Sequence, residues 1–515
     1  MSMIDSLFRR FGYVKRQPPR TFMRSYTGAA YNRLTQSWRY PVSSADTEIK
    51  AALRMLRARS RELTRNNDYA RKFVKMCVSN VVGPKGIQLQ NRAKNPDGRP
   101  DRMANAMIEA AWDDFCRKGN CTMDGQMSML AAQKLFIETA ARDGEVLVRK
   151  VRGYGGNRYR FAFHFIEADY LDEDYNLNNA GRNQIRMGVE FDRWERPVAY
   201  YLRKSHPGDY AFNRVSSSYE YERIPASDII HAFVRERPHQ TRGVPWMHSA
   251  MTRLNMIGEY EDAELVAARV GASKMGFFTK SEQNPISYMG DDKDSSGNLI
   301  TDAEPGTFEQ LPPGFDFKAF DPDHPVGNYG MFIKCVLRGV SSGLVVSYNS
   351  LASDLENVNY SSLRDGKIEE RDNWRLMQSW MCEDFCGEIF RDWLEMALLS
   401  GAVPLPYEKF DKFHAPKWQP RGWQWVDPET DQNANISAID YGLKTRTDAL
   451  AELGYDFEDT LDQLALEQKM ISEKGVKLAA KGEGSPKGSR PGAGKDGKGG
   501  PQPPQKEDED EDEED

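Results

Sequence analysis

Along residues 361–399, Trp374, Met377, Met381, Phe385, Ile389 and Trp393 recur every three or four residues, which places them on one face of a long helix. Gly401 and Pro404 end it. At the usual rise per residue such a helix is roughly 55–60 Å long, so it must lean on neighbouring elements. A second helix is predicted upstream, over 328–344. Between the two, Ser347, Asn349, Ser350, Ser353, Asp354, Asn357 and Asn359 compete for backbone hydrogen bonds with their short polar side chains. Residues 345–359 therefore read as a non-helical break between two rods.

The same patterning divides the rest of the chain. Leu53, Leu56, Leu63, Phe73, Val74 and Cys77 predict one helix over 46–82, capped by Asp46 and closed by Gly83, Pro84 and Gly86. A short strand over 87–90 and amphipathic helices over 102–118 and 128–142 follow. After Asp143, Gly144 and Glu145 the period changes to two. Val146, Val148, Tyr159, Phe161, Phe163 and Phe165 alternate with other residues around a turn at Tyr154, Gly155, Gly156 and Asn157. Further strands are predicted over 186–191 and 197–202, joined by a turn over 192–196, and residues 223–225 lead to a last strand over 229–234. Helices beside a mostly antiparallel sheet define an α+β unit. Residues 246–273 return to helix and become alanine-rich, whereas 274–325, interrupted by Pro285, Gly290, Gly297, Pro305, Pro312, Pro313, Gly314 and Pro322, reads as a small loop-and-strand insertion. Helices are predicted again over 429–442, 445–453 and 456–474.

Composition sharpens this picture. With 39% hydrophobic and 29% charged residues in 515, the chain suits elongated helices with solvated faces. The formal charge is −7, but nine consecutive acids at 507–515 carry −9, which leaves the rest at +2. The linker before them is rich in Gly, Pro, Lys and Ser and cannot bury enough apolar surface to order itself. Residues 1–75 hold 17 Lys and Arg against 5 Asp and Glu. That basic arm is either a contact for nucleic acid or an acidic partner, or an exposed terminus. Arg9, Arg10 and Lys15 interrupt the apolar runs after Met1, so no secretory signal is expected, and no apolar run is long enough to span a membrane. Six scattered cysteines point to reduced thiols in a cytosol.

Candidate chemistry is sparse. Gly492, Ala493, Gly494 and Lys495 lack the first Gly and the Ser or Thr of a phosphate cradle. His164 and His231 sit in no nucleophile motif and read as core or rim histidines. Asp143 with Glu145, and Glu369 with Glu370, are the carboxylate pairs available to a metal, but one flanks a glycine turn and the other a helix start. Cys116 with Cys121, and Cys382 with Cys386, lack zinc-knuckle spacing. Trp374, Trp380 and Trp393 lie among acids on one helix and read as packing residues rather than a base-stacking surface.

Four stretches carry a resemblance: LENVNYSSLR at 355–364, followed by Glu369 and Glu370; QTRGVPW at 240–246; AELVAA at 263–268; and WVDP at 425–428. In order and spacing the chain resembles, over 57–456, the portal proteins of tailed bacteriophages, specifically the lambda-type family. The resemblance implies an α+β portal-type fold with a basic arm (1–45), a helix-rich wing containing a mostly antiparallel sheet (46–244), a first stem helix (245–273) and a clip (274–325). A second stem helix (326–344), a tunnel loop (345–360), a long wing helix with its aromatic segment (361–428), a helical crown (429–475) and the Gly/Pro/Lys and acidic tail (476–515) complete it.

It further implies a homo-oligomeric ring, a dodecamer in this family, at one capsid vertex of the virion, assembled in the host bacterial cytoplasm. Double-stranded DNA would pass through this head–tail connector during genome packaging and ejection. A separate terminase motor would dock on the clip and later give way to head–tail completion proteins, and the major capsid protein and scaffold would surround the ring. Tyr348, Asn349, Ser350 and Leu351 are the candidate tip of the tunnel loop, with Asp354 and Glu356 repelling phosphate. A near-neutral body suits passage rather than tight binding of a polyanion. No catalytic residue, metal, cofactor or membrane contact is expected. The residues leave two other classes open: a metal-dependent DNA-processing enzyme, and a head scaffold or adaptor without a channel.

Overall fold

Ser44 opens the first helix, α1 (Ala45–Asn66), its hydroxyl accepting a hydrogen bond from the Thr47 amide. Asn67 closes that helix in an extended conformation, and its side chain caps α2 (Asp68–Val81) by accepting from the Ala70 amide. The single helix predicted over 46–82 is thus two. The break is held because the Asn67 side-chain nitrogen, Nδ2, also donates to the Leu254 carbonyl at 2.9 Å. Asp46 is not the cap; it accepts from the backbone and hydroxyl of Thr241. This computed structural model describes residues 42–178, 183–209, 220–272, 276–280, 315–319, 329–356, 360–423, 428–453, 455 and 457–475. The arm before residue 42, most of 274–325, and the tail after 475 lie outside them.

β1 (Gln88–Asn91), α3 (Arg102–Phe115), α4 (Met129–Asp143), β2 (Val146–Arg152) and β3 (Phe161–Ile166) follow in the predicted order. The strand predicted over 186–191 is instead a hairpin of β4 (Gln184–Arg186) and β5 (Val189–Phe191). Met187 and Gly188 both take positive φ, as a tight two-residue hairpin turn demands. β6 (Pro197–Arg203) and β7 (Tyr221–Pro225) extend this into a four-stranded sheet, while β8 (Ile229–Ala232) joins β2 and β3 in a three-stranded one. Every pairing between named strands is antiparallel, and the fold is mixed α+β.

α5 (Met251–Ala272) leads to β9 (Gly276–Lys280), which pairs with β10 (Phe315–Ala319), and the chain returns in α6 (Tyr329–Leu344). α5 and α6 lie side by side, with Tyr260 stacked on Tyr329 at 5.9 Å. A short α7 (Tyr348–Ala352) precedes the long helix, which consists of α8 (Tyr360–Met381), a π-helical turn over Cys382–Gly387 and α9 (Glu388–Leu399). The wider turn interrupts the regular period and turns Phe385 and Cys386 inward. α10 (Phe410–Phe413), β11 (Pro416–Gln419), α11 (Pro428–Asp440), α12 (Arg446–Glu452) and α13 (Phe457–Lys474) complete the described chain.

The main core forms where α9 crosses α3 and the three-stranded sheet. Trp393 is fully buried there, its ring 4.9 Å from Trp112 and 5.6 Å from Tyr159. Ion pairs reinforce the crossing: Lys150 on β2 reaches Glu388 and Asp392, and Arg152 reaches Asp392 and Asp228. A smaller core under the four-stranded sheet gathers Leu147, Leu171, Val189, Leu202 and Ile224.

Candidate functional site

The segment between α6 and α8 is not the uniform break that its polar residues predict. Ser347 caps α7, accepting from the Ser350 amide, so the same side chains that unsettle a long helix start a short one. Val345 before it and Ser353 after it both adopt left-handed φ, which supplies the two sharp bends. α7 also rests on α2, where Lys72 donates to the Ser353 hydroxyl.

Glu370 on α8 anchors the segment. Its carboxylate is almost fully buried and accepts from the Ser347 hydroxyl at 2.7 Å, the Ser350 hydroxyl at 2.8 Å and the Trp374 indole at 3.2 Å. Asn373 adds a bond to the Val345 carbonyl. On the other side Tyr348 donates to Asp354 at 2.7 Å, and Lys334 on α6 pairs with Asp354 at 3.2 Å and with Glu356. The Tyr348 bond, the Glu356 amide and Lys334 hold the Asp354 carboxyl below its ordinary range, and Lys334 is raised in turn by Glu356 and Asp354. Asp354 is therefore charged at neutral pH, and it shares one lysine with Glu356.

Of the residues grouped at the tip on sequence, Leu351 is turned inward. It is 1% exposed and packs into the main core, because an apolar side chain on the inner face of α7 is drawn to α2. Tyr348, Asn349 and Ser350 are half-buried, and the exposed positions are Val345, Ser353, Leu355 and Glu356. The anchor Glu370 was flagged in the sequence only as one of an acid pair at a helix start. Its spacing to Trp374, one helical turn later, was the available signal.

A second polar centre lies where QTRGVPW meets the turn after α4. Glu145 and Arg242 are both inaccessible to solvent. Arg242 Nε reaches the two Glu145 oxygens at 3.0 and 2.8 Å, Nη2 reaches Oε1 at 2.5 Å, and the remaining protons go to the carbonyls of Ala168, Leu171 and Met187. Arg57 and His231 complete the shell around Glu145 at 3.3 and 2.9 Å. Burial pushes the Glu145 carboxyl up, but Arg242 and His231 overcome it and hold the group far below the carboxylate range. Burial lowers His231 despite its bond to Glu145. The glycines of the two motifs are required by contact. A Cβ on Gly144, at φ 90°, would lie 2.2 Å from the Val244 carbonyl carbon, and one on Gly243 would lie 2.1 Å from the Gly144 oxygen.

The other flagged groups are likewise engaged or separate. Asp143 is held by Arg61 and Arg142, and His164 is exposed on β3. Burial raises the thiols of Cys116 and Cys386 well above their usual range and those of Cys121 and Cys382 to about 12. Among the described residues one trio has ligand-type atoms close together, Glu167, Asp169 and His206, and it includes none of the flagged acids or cysteines. Arg57 and Arg61 already bind Asp169 at 2.9 and 2.6 Å, which opposes a cation at that place.

Residues 31–378 match the family described as phage portal protein, lambda family. The chain belongs to that family. A probable portal protein of Halomonas phage phiHAP-1 is 36% identical over 467 residues, covering 89% of this chain and 90% of its own. Portal protein B of Escherichia phage lambda is 23% identical over 502 residues, covering 89% and 93%. Among solved structures, a chain from the neck of a native gene transfer agent particle, computed with twelve-fold symmetry, covers 77% of this chain and 93% of its own at 12% identity and a TM-score of 0.41. The matched span includes the Glu145–Arg242 centre, the segment between α6 and α8, and its Glu370 anchor. No described helix of this portal-family protein is long and apolar enough to cross a membrane.

Proposed function

We propose that the chain forms a ring, a dodecamer, at one vertex of a tailed-phage capsid, and that double-stranded DNA enters and leaves through its centre. The observation that carries this reading is family membership over two thirds of the chain together with the position of 345–356 between two rods. In this reading α5 and α6 are stem helices, the strands β9 and β10 belong to the clip, the segment between α6 and α8 is the tunnel loop, and α11 to α13 form the crown. Exposed Met256, Leu265 and Val266 on α5, and Met331 and Phe332 on α6, supply apolar surface for neighbouring subunits.

The bore would be lined by Asn349, Ser353, Asp354 and Glu356. Tyr348 and Ser350 hold the loop, and Leu351 serves only its packing. Two charged acids at the rim repel phosphate, which favours sliding over binding. The protein acts without catalysis of its own. A separate terminase motor docks on the clip, completion proteins follow it, and the capsid protein and scaffold surround the ring. Support for a non-enzymatic role comes from the acids and histidine that chemistry would need: Asp143, Glu145 and His231 are committed to buried ion pairs. Electron microscopy of the purified chain tests the proposal. Rings with a central hole wide enough for a duplex are expected, and monomers or solid shell fragments under all assembly conditions would refute it.

A further inference from the structure

A groove of about 720 Å³ opens between the end of α2, the start of α8 and the stretch after β11, and one sign of charge dominates it. Lys85, Lys367, Arg371 and Arg421 line it, none of the lining groups among the described residues is a carboxylate, and Trp423 and Tyr455 supply its aromatic walls. The cations are held in place. Arg371 and Arg375 lie over the Trp423 ring at 5.9 and 5.8 Å, and Lys85 lies over Tyr455 at 5.1 Å. Arg421 donates to the Ser79 carbonyl at the end of α2 while its own carbonyl accepts from Gln378 at 3.1 Å. Glu370 accepts from Ser347, Ser350 and Trp374, and Asp431 pairs with Arg364 at 2.9 Å. Burial, with Arg375 and Arg421 beside it, lowers the Arg371 guanidinium, as crowding of like charges requires.

We propose that the nine acids of 507–515 dock in this groove of their own subunit. Charge complementarity is the first argument, since the run is the one long block of a single sign in the chain and the groove is its opposite. Reach is the second. Tyr455 lines the groove, and α13 starts two residues later and, with 18 residues, carries the chain roughly 27 Å along its axis. The Gly-, Pro- and Lys-rich stretch 475–506 has a root-mean-square span of roughly 30 Å, so it returns the acid run to its starting point at an effective concentration on the order of millimolar. The docked run screens the groove from other polyanions. The inference stands whether or not the chain forms a ring.

Zero-length carbodiimide coupling of the full chain, followed by mass spectrometry, tests it directly. Links from Lys85 or Lys367 to carboxylates of 507–515 are expected at low salt, and they should vanish at about 1 M salt, where the screening length is only ~3 Å. Links from the run only to lysines elsewhere would overturn the proposal. A second measurement uses fluorescence anisotropy with a labelled peptide, EDEDEDEED, and a labelled 20-base-pair duplex on two full-length proteins, the native chain and one whose nine acids are changed to Asn and Gln. The peptide should bind the neutralised chain at least 10-fold more tightly than the native one, and Arg371→Gln with Arg375→Gln should abolish the difference. Equal peptide binding to both chains would refute docking. Duplex binding to the neutralised chain without peptide binding would refute it too, by assigning the groove to nucleic acid.

Discussion

Removing the Arg242 guanidinium should be the most damaging single change in the α+β unit. Arg242→Ala strips Glu145 of its bidentate partner and orphans the carbonyls of Ala168, Leu171 and Met187 in one step. Breaking a fully buried pair from one side costs about 3–5 kcal/mol, because the surviving charge is left without compensation. Arg57 at 3.3 Å and His231 at 2.9 Å remain near Glu145 and place the expected loss toward the lower part of that range. For a unit of roughly 200 residues each kcal/mol moves Tm by about 2–4 °C, so a fall of roughly 6–16 °C is expected. Differential scanning calorimetry reads it, with Lys204→Ala as the comparison. Lys204 pairs with Glu220 at 2.8 Å, but both are exposed, and such pairs contribute about 0–1 kcal/mol. The double replacement Glu145→Leu with Arg242→Met should recover part of the loss, since no lone charge stays buried. If Arg242→Ala melts within about 2 °C of the native chain, the centre is not holding the fold and the reasoning fails.

Three further outcomes follow from the same contacts. His231 and Glu145 are both depressed in the folded protein, so both stabilise it above their unfolded values and lose that contribution as pH falls. Urea unfolding should therefore show stability dropping first below about pH 6.5 and again below about pH 4.3, and His231→Gln should erase the first drop alone. Glu370→Ala leaves the Trp374 indole and two serine hydroxyls without their acceptor, at about 1–3 kcal/mol for the buried donor, and amide exchange across 345–356 should accelerate while that across α9 is unchanged. Deleting 349–354 should leave ring assembly intact under the microscope but reduce DNA packaging or retention, and a normal yield of filled, stable heads would count against a role for this loop.

Much of this protein follows from periodicity along the chain. The alternation of Phe161 and Phe163 against their neighbours marks a strand, and the three-to-four spacing from Trp374 to Trp393 marks the long helix, because burial on one face constrains each local pattern separately. The order of QTRGVPW, AELVAA and LENVNYSSLR carried the family. What the local pattern does not contain is the identity of distant partners. Asn67 breaks a helix because the Leu254 carbonyl stands ready to receive it, and Met187 turns the chain inside what reads as one strand. Leu351 leaves the expected tip because α2 lies beneath it. Glu145 and Arg242 are 97 residues apart, and Lys85 lies hundreds of residues before Lys367 and Arg421. Local sequence determined which faces must be covered; the tertiary structure alone decided what covers them, since Coulomb and hydrogen-bond energies depend on distance in space and not along the chain.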